Sequence, residues 1–250
     1  MNKAKGLGEK MRLPLNCLDE RLEKYMRHYR HCFSQPQYKY FVIILLGLML
    51  CQGGSTLSGL LNQVEKSVSV SGTSRFLSSA PWSTGKVSQT WLKLFQLELA
   101  PEVRAEHARR RAKRPKKGKG SRKKTAVTGY LIGDDSVMHK VRGKKMGGLG
   151  HHYSNTAKKT VTGHSLVESM YVLLGRRCPL EPKMYRQKAV CEKEDVTFQS
   201  KIDIMIDIIR TFTPAEDTMT HVLLDSWYGA KKSLESGART RIPHYDGSTV

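Results

Sequence analysis

Residues 104–124, RAEHARRRAKRPKKGKGSRKK, constrain the chain more than any other segment. Lys and Arg fill more than half of it, Gly and Pro interrupt it, and almost nothing in it is apolar. Such a segment buries too little surface to offset the entropy of ordering it. The pattern therefore predicts a basic linker over 101–125, with a helical region at 1–100 before it. A second domain at 126–240 and an irregular tail at 241–250 follow. The net charge of +21 repels itself inside a compact fold and implies a polyanionic partner: DNA, RNA or an acidic membrane surface. The longest apolar run, Phe41 to Cys51, is 11 residues, against the roughly 20 that a spanning helix needs. It reads as a core helix, so no membrane partner is expected. The five cysteines (17, 32, 51, 178 and 191) are an odd number, widely spaced and without a secretory leader before them. They read as reduced thiols of a cytoplasmic protein.

The first region is patterned for helices. Leu18, Leu22, Tyr25, Met26 and Tyr29 recur at helical spacing, a buried helix is expected over 38–51, and Gly53-Gly54 breaks it. Thr56 to Val64 can form another helix with Ser55 as its cap, and Ser71 to Ser79 another. Trp91, Leu92, Leu94, Phe95 and Leu99 mark one more before Pro101. The pair of helices over 55–79 has the dimensions of a helix-turn-helix, in which Ser71, Ser74 and Arg75 would face DNA while Phe76 and Leu77 pack inward. An ordinary helical hairpin fits the same spacing. Arg109, Arg110, Arg111, Lys113, Arg114, Lys116 and Lys117 of the basic run would contact phosphates without reading sequence.

Beyond the linker the period changes. Val127 and Gly129 to Ile132 form a short strand ending at Asp134-Asp135-Ser136, and the glycine-rich basic stretch 140–150 suits a hairpin turn. Runs over 160–167 and 169–174 are strand-like, 198–212 is an amphipathic helix, 221–225 a strand and 230–237 a short helix. The order predicts an α/β domain that opens with an antiparallel meander and crosses over through a helix. With the first region, the fold class is α plus α/β.

Two strands, Tyr130 to Asp134 and His221 to Asp225, each deliver an aspartate at the C-terminal end, where ligands gather in α/β sheets. If the strands are neighbours, Asp134 and Asp225 can share a divalent metal. Hard carboxylate oxygens suit Mg²⁺ or Mn²⁺ and the chemistry of phosphodiesters; a strand-capping role fits the spacing equally. No GxxxxGK[ST] loop, dinucleotide fingerprint, zinc-finger spacing or nucleophile elbow occurs.

At these residues the sequence resembles the DDE transposases of bacterial insertion sequences, in the branch with an Asp-Asp-Thr/Ser first motif. SVSVSGTSRFLSSAPWS (67–83) is similar to that family's N-terminal segment, and the stretch from Ile132 to Val167 to its first catalytic block. CPLEPKMY (178–185) and HVLLDSWYGAKK (221–232) are similar to the segments that follow. The resemblance implies a helical DNA-binding region ahead of an RNase-H-like core that uses Mg²⁺ or Mn²⁺. It implies Asp134 as the first metal-binding carboxylate, Asp135 as its alternative, Ser136 in the Thr/Ser position and Asp225 as the second carboxylate. Lys140, Arg142, Lys144 and Lys145 would lie on a hairpin near the substrate backbone, or form a solvated turn. The implied partners are double-stranded DNA, both transposon ends and target, and a second copy in a synaptic homodimer; the implied location is the nucleoid.

One departure from the pattern carries a further expectation. The family's third carboxylate is a glutamate on a helix well downstream of the second aspartate, whereas 25 residues follow Asp225 here. Glu235 comes too early in the topology, and Asp246 sits in a polar tail. An incomplete, C-terminally truncated RNase-H-like core is therefore expected, with DNA binding but little or no cleavage. A non-catalytic protein competing for transposon ends is the alternative.

Overall fold

Capping residues set where the helices begin. In the computed structural model, which describes residues 19–51, 56–64, 68–112, 126–141 and 145–228, Asp19 accepts the Arg21 N–H at 2.8 Å and starts α1 (Glu20–Arg27). Acidic residues lie in the first turn of α1 and basic ones in its last, as the helix dipole favours. Gln37 accepts the Ser34 N–H at 2.9 Å at the head of α2 (Gln35–Leu50). Thr56 caps α3 (Leu57–Leu61) and Ser69 caps α4 (Val70–Ser78). The chain divides into two compact units, Met1–Thr90 and Trp91–Val250.

The core of the first unit is Met26, Val42, Ile43, Leu46, Leu61 and Val64, with an aromatic group of Phe33, Phe41, Tyr40, Phe76 and Trp82 packed around α2 and α4. The apolar run does form a core helix, and among the described residues no helix is long and apolar enough to cross a membrane. The helix-turn-helix expectation fares less well. The α3 helix is 5 residues long and ends at Leu61, so eight residues separate it from α4, against the 3–4 usual for that motif. Leu77, expected inside, is 47% exposed, because Phe76 takes the inward position beside Tyr40 and Trp82.

The expected linker is corrected at its start. The helix α5 (Thr84–Ala112) runs through Pro101 and includes residues 101–112. The apolar stripe explains this: Phe95, Leu99 and Val103, spaced four apart, are all buried in one cluster with Val127, Tyr171, Leu173 and Cys178. Pro101 removes one helix hydrogen bond, that to the Leu97 carbonyl, and the helix continues through it. Residues 113–125 lie outside the described ones, as do the expected helix 230–237 and the tail 241–250.

The second unit holds a six-stranded sheet. Its strands are β1 (Val127–His139), β2 (Gly150–Ser154), β3 (Lys159–Leu173), β4 (Arg176–Pro179), β5 (Lys183–Tyr185) and β6 (Thr218–Leu224). The central order is β2-β3-β1-β6, with β4 and β5 also paired to β3. β1 and β3 are antiparallel, and β6 returns parallel to β1. The crossover through a helix to a parallel strand is as expected, but the meander is corrected. The two runs over 160–174 are one strand, β3, which pairs with the unexpected β2, β4 and β5, and β1 continues past the aspartates to His139. Leu174 (φ 51°) and Gly175 (φ 78°) form the two-residue turn from β3 to β4, a conformation matched to the twist of paired strands.

Helix α6 (Lys188–Glu194) precedes α7 (Lys201–Thr211), which supplies the crossover. Ser200 and Asp203 cap α7 reciprocally: Asp203 N–H donates to Ser200 Oγ at 3.1 Å and Ser200 N–H to Asp203 Oδ2 at 3.3 Å. Ile204, Met205, Ile208 and Ile209 of α7 pack on Leu131, Val167 and Tyr228. Glycine at 133 lets this helix approach, since a Cβ there would come within 2.5 Å of Met205 Cε and 2.7 Å of Leu224 Cδ2.

Candidate active site

The parallel pairing of β1 with β6 brings the two aspartates side by side, although Asp134, expected at a strand end, lies within β1 and only Asp225 follows the end of its strand. The register runs from Val127 opposite Thr218 to Gly133 opposite Leu224, so the next pair along is Asp134 and Asp225. Neighbouring parallel strands lie about 4.8 Å apart. Side chains alternate along each strand, and the burial of β1 follows that period: Leu131 and Gly133 face the core, while Tyr130, Ile132 and Asp134 are exposed. On β6, Val222 and Leu224 pack against the core under α7, and Leu223 and Asp225 are exposed. Asp134 and Asp225 therefore share the open face of the sheet, in line with the stacked pair Tyr130 and His221.

Their neighbours distinguish the three aspartates. Asp134 Oδ1 accepts the Asp135 N–H at 2.8 Å, and Asp225 Oδ1 accepts the Ser226 hydroxyl at 3.1 Å. Among the described residues no Lys, Arg or His forms an ion pair with either. Asp135 points the other way, into the core face. There it forms an ion pair with Lys201 and accepts the Tyr228 hydroxyl at 3.2 Å. Tyr228 is 1% exposed. Burial holds its phenol well above the ordinary tyrosine range, and the negative charges of Asp135, Asp134 and Asp225 push it the same way. All three carboxylates thus act on one buried hydroxyl. Ser136 is half-buried, two residues beyond Asp134 on the same side of β1.

Sequence reasoning missed a fourth acid. Glu168 of β3 is exposed and directly opposite Asp134 in the antiparallel register, which places Glu168, Asp134 and Asp225 in a row across three strands. Only the register of the β1–β3 hairpin could have revealed it. Among the described residues no group of three His, Cys, Asp or Glu is arranged to hold a metal ion.

The basic residues are dispersed. Since β1 continues to His139, Lys140 lies six residues past Asp134, about 20 Å along the strand, where its N–H bonds to the Thr162 carbonyl. Lys145 is exposed beyond it, and Arg142 and Lys144 lie outside the described residues. Lys140 and Lys145 thus follow the end of β1, well along the strand from Asp134. Arg109 and Arg110 pair with Glu106, and Arg110 also donates to the Ala126 carbonyl at 2.7 Å. Arg110 thus ties α5 to the entry of β1 instead of standing free for phosphate. Arg111 is exposed; Lys113, Arg114, Lys116 and Lys117 lie outside the described residues. In the first unit Ser71, Ser74 and Arg75 are exposed along one side of α4.

The second unit is thus a mixed sheet in which Asp134 and Asp225 lie on neighbouring parallel strands at the end of their ladder. The chain matches the family model of the DDE superfamily endonucleases over residues 28–246, and it belongs to that family. No curated protein and no solved structure matches it.

Proposed function

We propose that this chain binds double-stranded DNA and hydrolyses a phosphodiester bond in it, with a divalent metal ion held by Asp134 and Asp225, as the opening step of transposition. One observation carries the reading: two exposed carboxylates, with no ion-pair partner among the described residues, lie side by side where the β1–β6 ladder ends. Endonucleases of the DDE superfamily act on DNA and use divalent metals such as Mg²⁺. The donor set fits that ion. Mg²⁺ keeps several waters and is commonly bound by one or two carboxylates together with substrate phosphate, and Asp134 and Asp225 offer hard oxygens at a solvent-open rim. Bound there, the ion would lower the pKa of a water and neutralise charge on the scissile phosphate. Asp134 and Asp225 hold the ion, and Ser136 borders it.

The RNase-H-like assignment of the core rests on antiparallel strands built around β3 and followed by β6, parallel to β1, with both aspartates where the β1–β6 ladder ends. DNA is gripped by the excess positive charge, and Ser71, Ser74 and Arg75 present hydroxyls and a guanidinium from one side of α4. A second copy in a synaptic complex would bring two transposon ends together, and the substrate places the protein at the nucleoid. Supercoiled DNA carrying the element's ends, incubated with Mg²⁺ or Mn²⁺, tests the reading. Nicking by the native chain and its loss in Asp134→Ala and Asp225→Ala are expected; nicking that survives both changes refutes it.

A second reading, DNA binding without cleavage, draws on the net charge of +21 alone. It predicts end binding unchanged by both aspartate substitutions and no metal-dependent nicking.

A further inference from the structure

Asp225 sits just past the end of the β1–β6 ladder, whose last pair is Gly133 and Leu224. The segment that carries it, Ser226–Tyr228, is a single 3-10 turn, and the Tyr228 N–H returns to the Asp225 carbonyl at 2.9 Å. From that turn the Tyr228 side chain runs back under the sheet among Leu131, Val167 and the α7 residues. Its hydroxyl reaches Asp135 Oδ1, on the strand that carries Asp134. The other oxygen of Asp135 is taken by Lys201, the first residue of α7, whose ammonium also lies 5.5 Å over the Tyr185 ring. The Asp135 N–H in turn donates to the Asp134 carboxylate. Tyr228, Asp135 and Lys201 thus link the turn bearing one open-face carboxylate to the strand bearing the other.

We propose that Asp135, clamped by Tyr228 and Lys201, is a positioning residue that fixes the separation of Asp134 and Asp225. The inference rests on the reading of Asp134 and Asp225 as the metal-binding pair. It accounts for a charge on the covered face of the sheet: each of its oxygens is engaged by a group from another element, Tyr228 on one and Lys201 on the other. Outer partners that orient metal-binding carboxylates typically govern metal affinity by about 10- to 100-fold.

The test measures Mn²⁺ affinity of the full chain, from the electron paramagnetic resonance of free Mn²⁺, well below the unfolding temperature. Tyr228→Phe keeps the ring and removes only the hydroxyl; it is expected to weaken Mn²⁺ by about tenfold. Lys201→Met should do the same, and Lys201→Arg, which keeps a cation for Asp135, should restore most of the affinity. Asp134→Ala and Asp225→Ala serve as references and should abolish binding. Tyr228→Phe binding as tightly as the native chain, with the two references lost, overturns the positioning role and leaves the metal pair standing. Unchanged binding in the two references overturns both. If Tyr228→Phe does not fold, the comparison of Lys201→Met with Lys201→Arg decides: a weak first and tight second support the clamp, and equal affinities overturn it.

Discussion

Replacing Asp134 by Asn should stabilise the metal-free chain. Asp134 lies between two like charges, Asp225 on β6 and Glu168 on β3, all three exposed on the open face. Unit charges about 5 Å apart repel by about 0.8 kcal/mol in bulk water and about 3 kcal/mol at an effective dielectric of about 20. For exposed positions the lower figure is nearer, about 1 kcal/mol per neighbour. Glu168 and Asp225 are two strands apart, about 10 Å, where the same expression gives about 0.4 kcal/mol and salt screens much of that. Asp134→Asn removes two repulsions and should gain about 2 kcal/mol. Glu168→Gln and Asp225→Asn, each removing one, should gain about 1 kcal/mol. The assay is urea unfolding at low ionic strength with a chelator present, followed by Trp fluorescence and circular dichroism. Double-mutant cycles should give about 1 kcal/mol of coupling for 134 with either neighbour and nearly none for 168 with 225. Additive effects at 134 and 225, or a destabilising Asp134→Asn, would refute the adjacency of the charges.

Leu131 is 1% exposed in the core beneath α7, so Leu131→Ala should cost about 3 kcal/mol, read as a lower urea midpoint. His152 is buried and its pKa is lowered, by burial first and then by the charge of Lys201. The unfolded chain therefore takes up a proton near pH 6.5, its ordinary value, before the folded chain does. Stability should be full above that pH and fall as the pH drops toward the lower folded value. His152→Gln should flatten that part of a melting-temperature profile between pH 8 and 5. Lys158 is held at φ 52° in the turn between β2 and β3; Lys158→Asn should raise stability by about 0.5 kcal/mol, measured by thermal unfolding.

The parts of this fold that were legible in the sequence are those where local pattern and packing agree. The continuous apolar runs at 41–51 and ahead of Asp225 become a core helix and a strand, and the helical stripe of α7 survives in the structure. The helix stop at Pro101 was misread because a local rule was outweighed by tertiary burial of Val103, which nothing before residue 127 reveals. β1 was drawn too short for a similar reason: Asp134 to His139 is polar, and it is strand because β3 pairs with it to Gly163. Both aspartates of the candidate site are legible as acids that close an apolar run, although only Asp225 follows the end of a strand. Their separation into an open pair and a clamped third depends on side-chain alternation and on Tyr228, and Glu168 depends on a register. Those are long-range facts, set by which strands meet.

Iron-directed cleavage of the polypeptide tests the central claim most directly. Fe²⁺ bound in place of Mg²⁺, with ascorbate and peroxide, cuts backbone close to the ion. The account predicts cuts in the native chain around residues 134 and 225 together, both suppressed by excess Mg²⁺ and both lost in either aspartate variant. Cuts near only one of the two positions, or a pattern unchanged when Asp134 or Asp225 is replaced, would contradict it.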